Sequence, residues 1–134
     1  MKKIAKKYLS NYRAEVSRLT QQLSQLACKA AHADLLIKGT PGLVYRKCGY
    51  KHCKCAKSPD MRHGPYRVIQ VYKNGKQKQV ALRKDQEEIW ERAKHYQQQM
   101  QYLAQMKNVC KKLVEHCEHM INQRTEELEK NDLV

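Results

Sequence analysis

Apolar residues recur along the first forty positions at alternating steps of four and three: Tyr12, Val16, Leu19, Leu23, Leu26, Ala30, Ala33 and Ile37. That spacing is the stripe of an amphipathic helix with a coiled-coil seam. Gly39-Thr40-Pro41-Gly42 closes it, since glycine takes the left-handed C-cap conformation and proline cannot continue the hydrogen-bond ladder. A second helical pattern opens at Asp85-Gln86-Glu87-Glu88, with Asp85 as the N-cap. Its heptad series is Ile89, Ala93, Tyr96, Met100, Leu103, Cys110, Val114, Cys117, Ile121 and Leu128, and Trp90, Met106, Leu113 and Met120 widen the apolar face beside it. Continuous helices over 3–38 and 85–130 would reach about 54 Å and about 70 Å.

The period changes between them. Tyr66 to Tyr72 and Gln77 to Leu82 are rich in strand-forming residues and flank Lys73-Asn74-Gly75-Lys76. Asn-Gly between such runs signals a type I′ hairpin. A short strand over Leu43–Arg46 is available as a third member. The expected fold is therefore mainly α with a small β insertion: two long antiparallel coiled-coil helices, residues 1–38 and 85–130, flanking a stapled β-hairpin head at residues 43–84.

Composition adds a partner class. The 134 residues carry a net charge of +14, and it is unevenly spread. Residues 43–84 hold 12 basic side chains against one acidic, whereas residues 85–134 hold 7 against 10. A strongly basic head suits a polyanion, DNA ahead of RNA. Arg46, Lys47, Lys51, Lys54, Arg62, Arg67, Lys73, Lys76 and Lys78 are the expected phosphate contacts, with Tyr50 able to stack on a base. The tyrosines are equally explained as cross-strand partners within the hairpin. No apolar run reaches the roughly 20 residues needed to span a bilayer, and the N-terminus lacks the apolar core of a signal peptide, so the reading is a cytoplasmic chain without a membrane span.

In a reducing compartment the cysteines read as thiols or metal ligands. Cys48, Cys53, Cys55 and His63 follow the spacing C-x4-C-x-C-x7-H, the composition of a closed Cys3His zinc site, with His52 competing for the fourth position. Thiolates favour zinc over calcium or magnesium, and the only carboxylate in the segment is Asp60. Gly49 offers a turn whose backbone N–H groups can point at sulfur. So short and polar a head has little apolar core and needs a staple. Against this stands the plainer view of small buried cysteines and a histidine that belongs to a turn.

The run Cys48-Gly49-Tyr50-Lys51-His52-Cys53-Lys54-Cys55-Ala56, followed by His63-Gly64-Pro65-Tyr66, resembles an uncharacterised family of small bacterial zinc-finger-like proteins with a CG-x3-C-x-C-A…HGPY signature. Members of that family often accompany mobile genetic elements. The resemblance covers Leu43 to about Tyr102. It implies a zinc-finger-like head on a helical stalk and DNA-associated work, and transfers no activity. The N-terminal helix and Cys110 and Cys117 stand outside it.

Other residues are read more plainly. Cys28 with His32, and His95 across a helical hairpin, are taken as a core thiol beside solvated histidines, and Cys110 and Cys117 as seam residues. Lys2, Lys3, Lys6 and Lys7 are either a second phosphate-contacting arm or a solvated terminus. No nucleotide loop, zinc-protease helix or paired carboxylates occur, so no catalytic residues are assigned and the chain is read as a non-enzyme. The expected function is a nucleic-acid-binding accessory protein with a structural Zn2+ head and a stalk that forms homo-oligomers through its helices. The alternative is an oligomeric coiled-coil adaptor for a protein partner of the recombinase type; a metal or redox sensor is a third reading.

Overall fold

The structure is a computed structural model that describes residues 6–31 and 34–128. It contains a helix α1 (Lys6–Ala30), strands β1 (Thr40–Arg46), β2 (His63–Lys73) and β3 (Lys76–Ala81), and a long helix α2 (Glu87–Arg124). Two short 3-10 turns, Lys54–Ala56 and Pro59–Met61, lie in the β1–β2 connection. The chain divides into two compact units, one formed from residues 1–32 and 101–134 and the other from residues 33–100.

In the first unit Leu19 and Leu26 of α1 are buried with Val109 of α2, and Leu23, Tyr102, Met106 and Leu113 pack against them. The ring of Tyr12 lies 5.8 Å from that of His116 and 5.0 Å from that of His119. The Lys29 ammonium sits 5.8 Å from the Tyr102 ring. The stripe on α1 is the one its periodicity predicts. The stripe on α2 is not: Tyr102, Met106, Val109 and Leu113 face the core, while Leu103, Cys110, Val114, Cys117 and Ile121 are exposed.

In the second unit β2 is the central strand of a three-stranded antiparallel sheet in the order β1-β2-β3. Asn74 and Gly75, at φ 52° and 75°, form the turn between β2 and β3, which is the backbone a type I′ turn requires. Pro41 stands opposite Ile69 and is tolerated because β1 is an edge strand. Arg67, Ile69, Val71 and Lys73 point to one face of β2, and Tyr66, Val68, Gln70 and Tyr72 to the other. Arg67 hydrogen-bonds Glu87 of α2 and stacks 5.0 Å from the Trp90 ring. Among the described residues, Val68, Ile69, Ala93 and Cys55 are the buried apolar residues of this unit.

These findings replace the expected architecture of two long antiparallel coiled-coil helices flanking a hairpin. Among the described residues there are two α-helices and a three-stranded antiparallel sheet. The first helix stops at Ala30, short of Lys38: residues 34–38 have no regular secondary structure, and the Ile37 N–H donates to the Arg92 carbonyl of α2. Gly39 is thus not a helix cap. It is where the chain crosses β2 so closely that a Cβ would lie 2.4 Å from Ile69 Cγ2. Asp85 pairs with Arg83 instead of capping α2. The expected α2 seam is buried at Ala93 and half-buried at Ile89 and Tyr96, but from Leu103 to Ile121 it faces solvent, because there the adjacent stripe took the partner helix. Cys28, Cys110 and Cys117 are accordingly exposed thiols rather than core or seam residues. Lys2, Lys3, His32, Ala33 and the tail beyond Leu128 lie outside the described residues.

Candidate metal centre

The β1–β2 connection folds into a knuckle that gathers the four predicted ligands. Cys48 follows the end of β1, Gly49 turns the chain at φ 87°, and Cys53 begins the first 3-10 turn. The N–H of Cys53 donates to the Tyr50 carbonyl and that of Ala56 to the Cys53 carbonyl. Those two bonds carry Cys55 back towards Cys48. His63 opens β2 and pairs with Arg46, beyond an irregularity in the register between Val44 and Arg46.

One ligand atom from each of Cys48, Cys53, Cys55 and His63 lies within 4.8 Å of the others. The sulfurs of Cys48 and Cys55 are 3.4 Å apart, and Cys53 Sγ is 3.3 Å from His63 Nε2. A tetrahedral ion with sulfur at about 2.3 Å and nitrogen at about 2.0 Å needs its ligand atoms roughly 3.5–3.8 Å apart, so the set can close around a metal ion with little movement. Cys55 is fully buried, Cys53 partly so, and Cys48 and His63 are exposed. The backbone N–H of Cys48 points at Cys55 Sγ at 3.4 Å, the kind of bond that stabilises charge on a metal-bound thiolate. His52, the rival for the fourth position, is exposed and is not among the grouped ligands.

Gly64 makes the placement of His63 sterically possible. Its φ is 140°, and a Cβ there would come 2.7 Å from the Val44 carbonyl oxygen. Sequence reasoning took His63 as a ligand but gave Gly64 no role of its own; a glycine directly after a candidate ligand was the available signal for this close strand approach.

The ten residues expected to contact nucleic acid do not form one patch. Arg46, Lys47, Tyr50, Lys51, Lys54 and Arg62 surround the knuckle and are exposed. Among the described residues none of these basic side chains is held in an ion pair, and Asp60 is the only carboxylate in this stretch. Lys73 and Lys76 face each other across the hairpin tip, and Lys78 stands opposite Val71. At about 3.3 Å per residue, Lys73 lies roughly 33 Å along β2 from His63. Arg67 is engaged by Glu87 and Trp90, a structural pairing that sequence reasoning missed. The tyrosines of β2 take cross-strand positions, Tyr66 opposite Val44 and Tyr72 opposite Gln77.

No helix among the described residues is long and apolar enough to cross a membrane. Residues 12–91 match the model of a family described as a domain of unknown function, DUF6788. The match begins inside α1, so it takes in most of the helix that the cysteine signature leaves out, and it ends a turn into α2. No curated protein and no solved structure matches the chain.

Proposed function

The chain belongs to the DUF6788 family, and from the chemistry of its cluster we propose that the knuckle holds a structural zinc ion and presents a basic surface to nucleic acid, DNA ahead of RNA. The observation that carries this reading is the closure of three thiolates and one imidazole within 4.8 Å, in a loop whose Arg46, Lys47, Lys51, Lys54, Lys57 and Arg62 face a single acidic residue, Asp60. Thiolates with one histidine select zinc by softness and geometry. Four protein ligands leave no open position for reactive water, so the ion's role is to fix the loop. With the loop fixed, its lysines and arginines are held in place to neutralise successive phosphates. Self-association through the helices belongs to the same reading, because a second head would double the phosphate contacts without new chemistry.

The test is elemental analysis of purified protein combined with fluorescence anisotropy of duplex and single-stranded DNA at two salt concentrations. One equivalent of zinc is expected. Log affinity should fall with log salt at a slope near −5 for about six neutralised phosphates on duplex DNA. An ordered knuckle without metal overturns the zinc assignment, and salt-independent affinity overturns the nucleic-acid assignment.

A further inference from the structure

Helix α2 carries a second apolar stripe that nothing among the described residues of its own unit covers. Leu103, Cys110, Val114, Cys117 and Ile121 are all exposed, with Val114 and Ile121 more than half accessible. Each follows by one residue a member of the stripe Tyr102, Val109, Leu113, His116 and Met120, of which Tyr102, Val109 and Leu113 pack with α1. The second stripe therefore lies about 100° further round the helix. Its spacing is that of an interface between helices, not of scattered surface residues.

The geometry points to a second copy of this chain as the occupant, with the two α2 helices packed antiparallel so that Val114 sits level with Cys117 of the other copy and Cys110 with Ile121. The argument for this partner and orientation is charge complementarity. Lys111 and Glu118 flank the stripe on one side. In the antiparallel alignment centred between Val114 and Cys117, Lys111 of each copy meets Glu118 of the other, giving two ion pairs. A shift of one heptad either way sets Lys111, or Glu118, against its own copy. A parallel pair would face Lys111 with Met106 and Glu118 with Leu113, and so gain neither pair. Lys107, which separates Leu103 from the rest, and Arg124 bound the segment from Cys110 to Ile121 and limit the continuous apolar contact to about 17 Å of helix. So short a seam buries less than the roughly 800 Å² per partner of a standard stable interface, and the association is concentration-dependent.

This inference deepens the self-association of the proposed function, and its test contains no nucleic acid, so the two fail separately. Sedimentation velocity on the full-length, metal-loaded chain from roughly 5 to 500 µM should show a monomer–dimer equilibrium. Val114→Asp should abolish it, with helicity by circular dichroism unchanged because the residue is exposed. Lys111→Glu should weaken dimerisation about tenfold by turning two attractions into two repulsions, and Lys111→Glu with Glu118→Lys should restore it. A wild-type chain that stays monomeric at the highest concentration overturns the proposal. So does a Lys111→Glu variant that dimerises normally, or a charge swap that fails to rescue.

Discussion

Cys53 and His63, ten positions apart, bring Sγ and Nε2 to 3.3 Å of each other, and this contact ties the knuckle to the start of the central strand. His52, the immediate neighbour of Cys53, does not join the cluster. His63→Ala should therefore reduce zinc affinity by about a hundredfold or more, since loss of a direct ligand costs at least as much as loss of its supporting hydrogen bond. His52→Ala should leave affinity unchanged. Competition with a chromophoric chelator measures both.

Gly64 and Gly75 give a matched pair of backbone tests. Both have positive φ, but a Cβ at Gly64 would strike the Val44 carbonyl oxygen at 2.7 Å, whereas Gly75 has nothing within 4 Å. Gly75→Ala should cost about 1 kcal/mol, for the left-handed backbone alone. Gly64→Ala should cost more than about 2 kcal/mol and loosen zinc as well, because His63 must move with it. Thermal unfolding with and without chelator separates the two effects.

The helical unit tests which apolar stripe forms the core. Leu19 is buried against α2, and Leu19→Ala should cost about 3 kcal/mol. Leu103 is exposed, and Leu103→Ala should change the stability of dilute protein by no more than about 0.5 kcal/mol. Urea denaturation at low micromolar protein decides between them.

How much of this was legible depended on whether the signal was local. Asn74-Gly75 marks its turn because few other residues adopt two consecutive positive φ values. The cysteine and histidine spacing marks the cluster because those side chains have few other reasons to converge. The stop of α1 at Ala30 was not legible. Ile37 continues the helical period, and only its backbone bond to Arg92 reveals that the chain has left the helix. Nor could periodicity rank the two stripes of α2: Leu103, Val114 and Ile121 are as apolar as Met106, Val109 and Leu113, and the partner helix decides which set is buried. Gly39 illustrates the same limit, since a glycine needed for close approach to Ile69 looks in sequence like a helix cap.

Glu15 and Arg18 form an exposed pair one turn apart on α1. The hydrogen bond from Arg18, with its charge, holds the Glu15 carboxyl below the ordinary glutamate value. A depressed carboxyl contributes stability that is complete above its unfolded pKa and is lost as pH falls through the folded one. Arg18→Gln should move the Glu15 titration midpoint upward in carbon-detected NMR, with little change in stability at neutral pH because both groups face solvent.

Arg67 and the knuckle lysines should leave opposite signatures. Arg67 already bonds Glu87 and stacks on Trp90, so Arg67→Gln should lower stability by about 1 kcal/mol and leave the salt dependence of DNA binding as it was. Lys51 and Lys54 are exposed beside the cluster and are held in no ion pair among the described residues. Replacing both with Gln should leave the unfolding transition in place and make the slope of log affinity against log salt about 2 units shallower on duplex DNA. Paired melts and salt titrations on the two variants measure this. If Arg67→Gln flattened the slope while the lysine variant did not, the phosphate surface would lie along the sheet and α2, not at the knuckle.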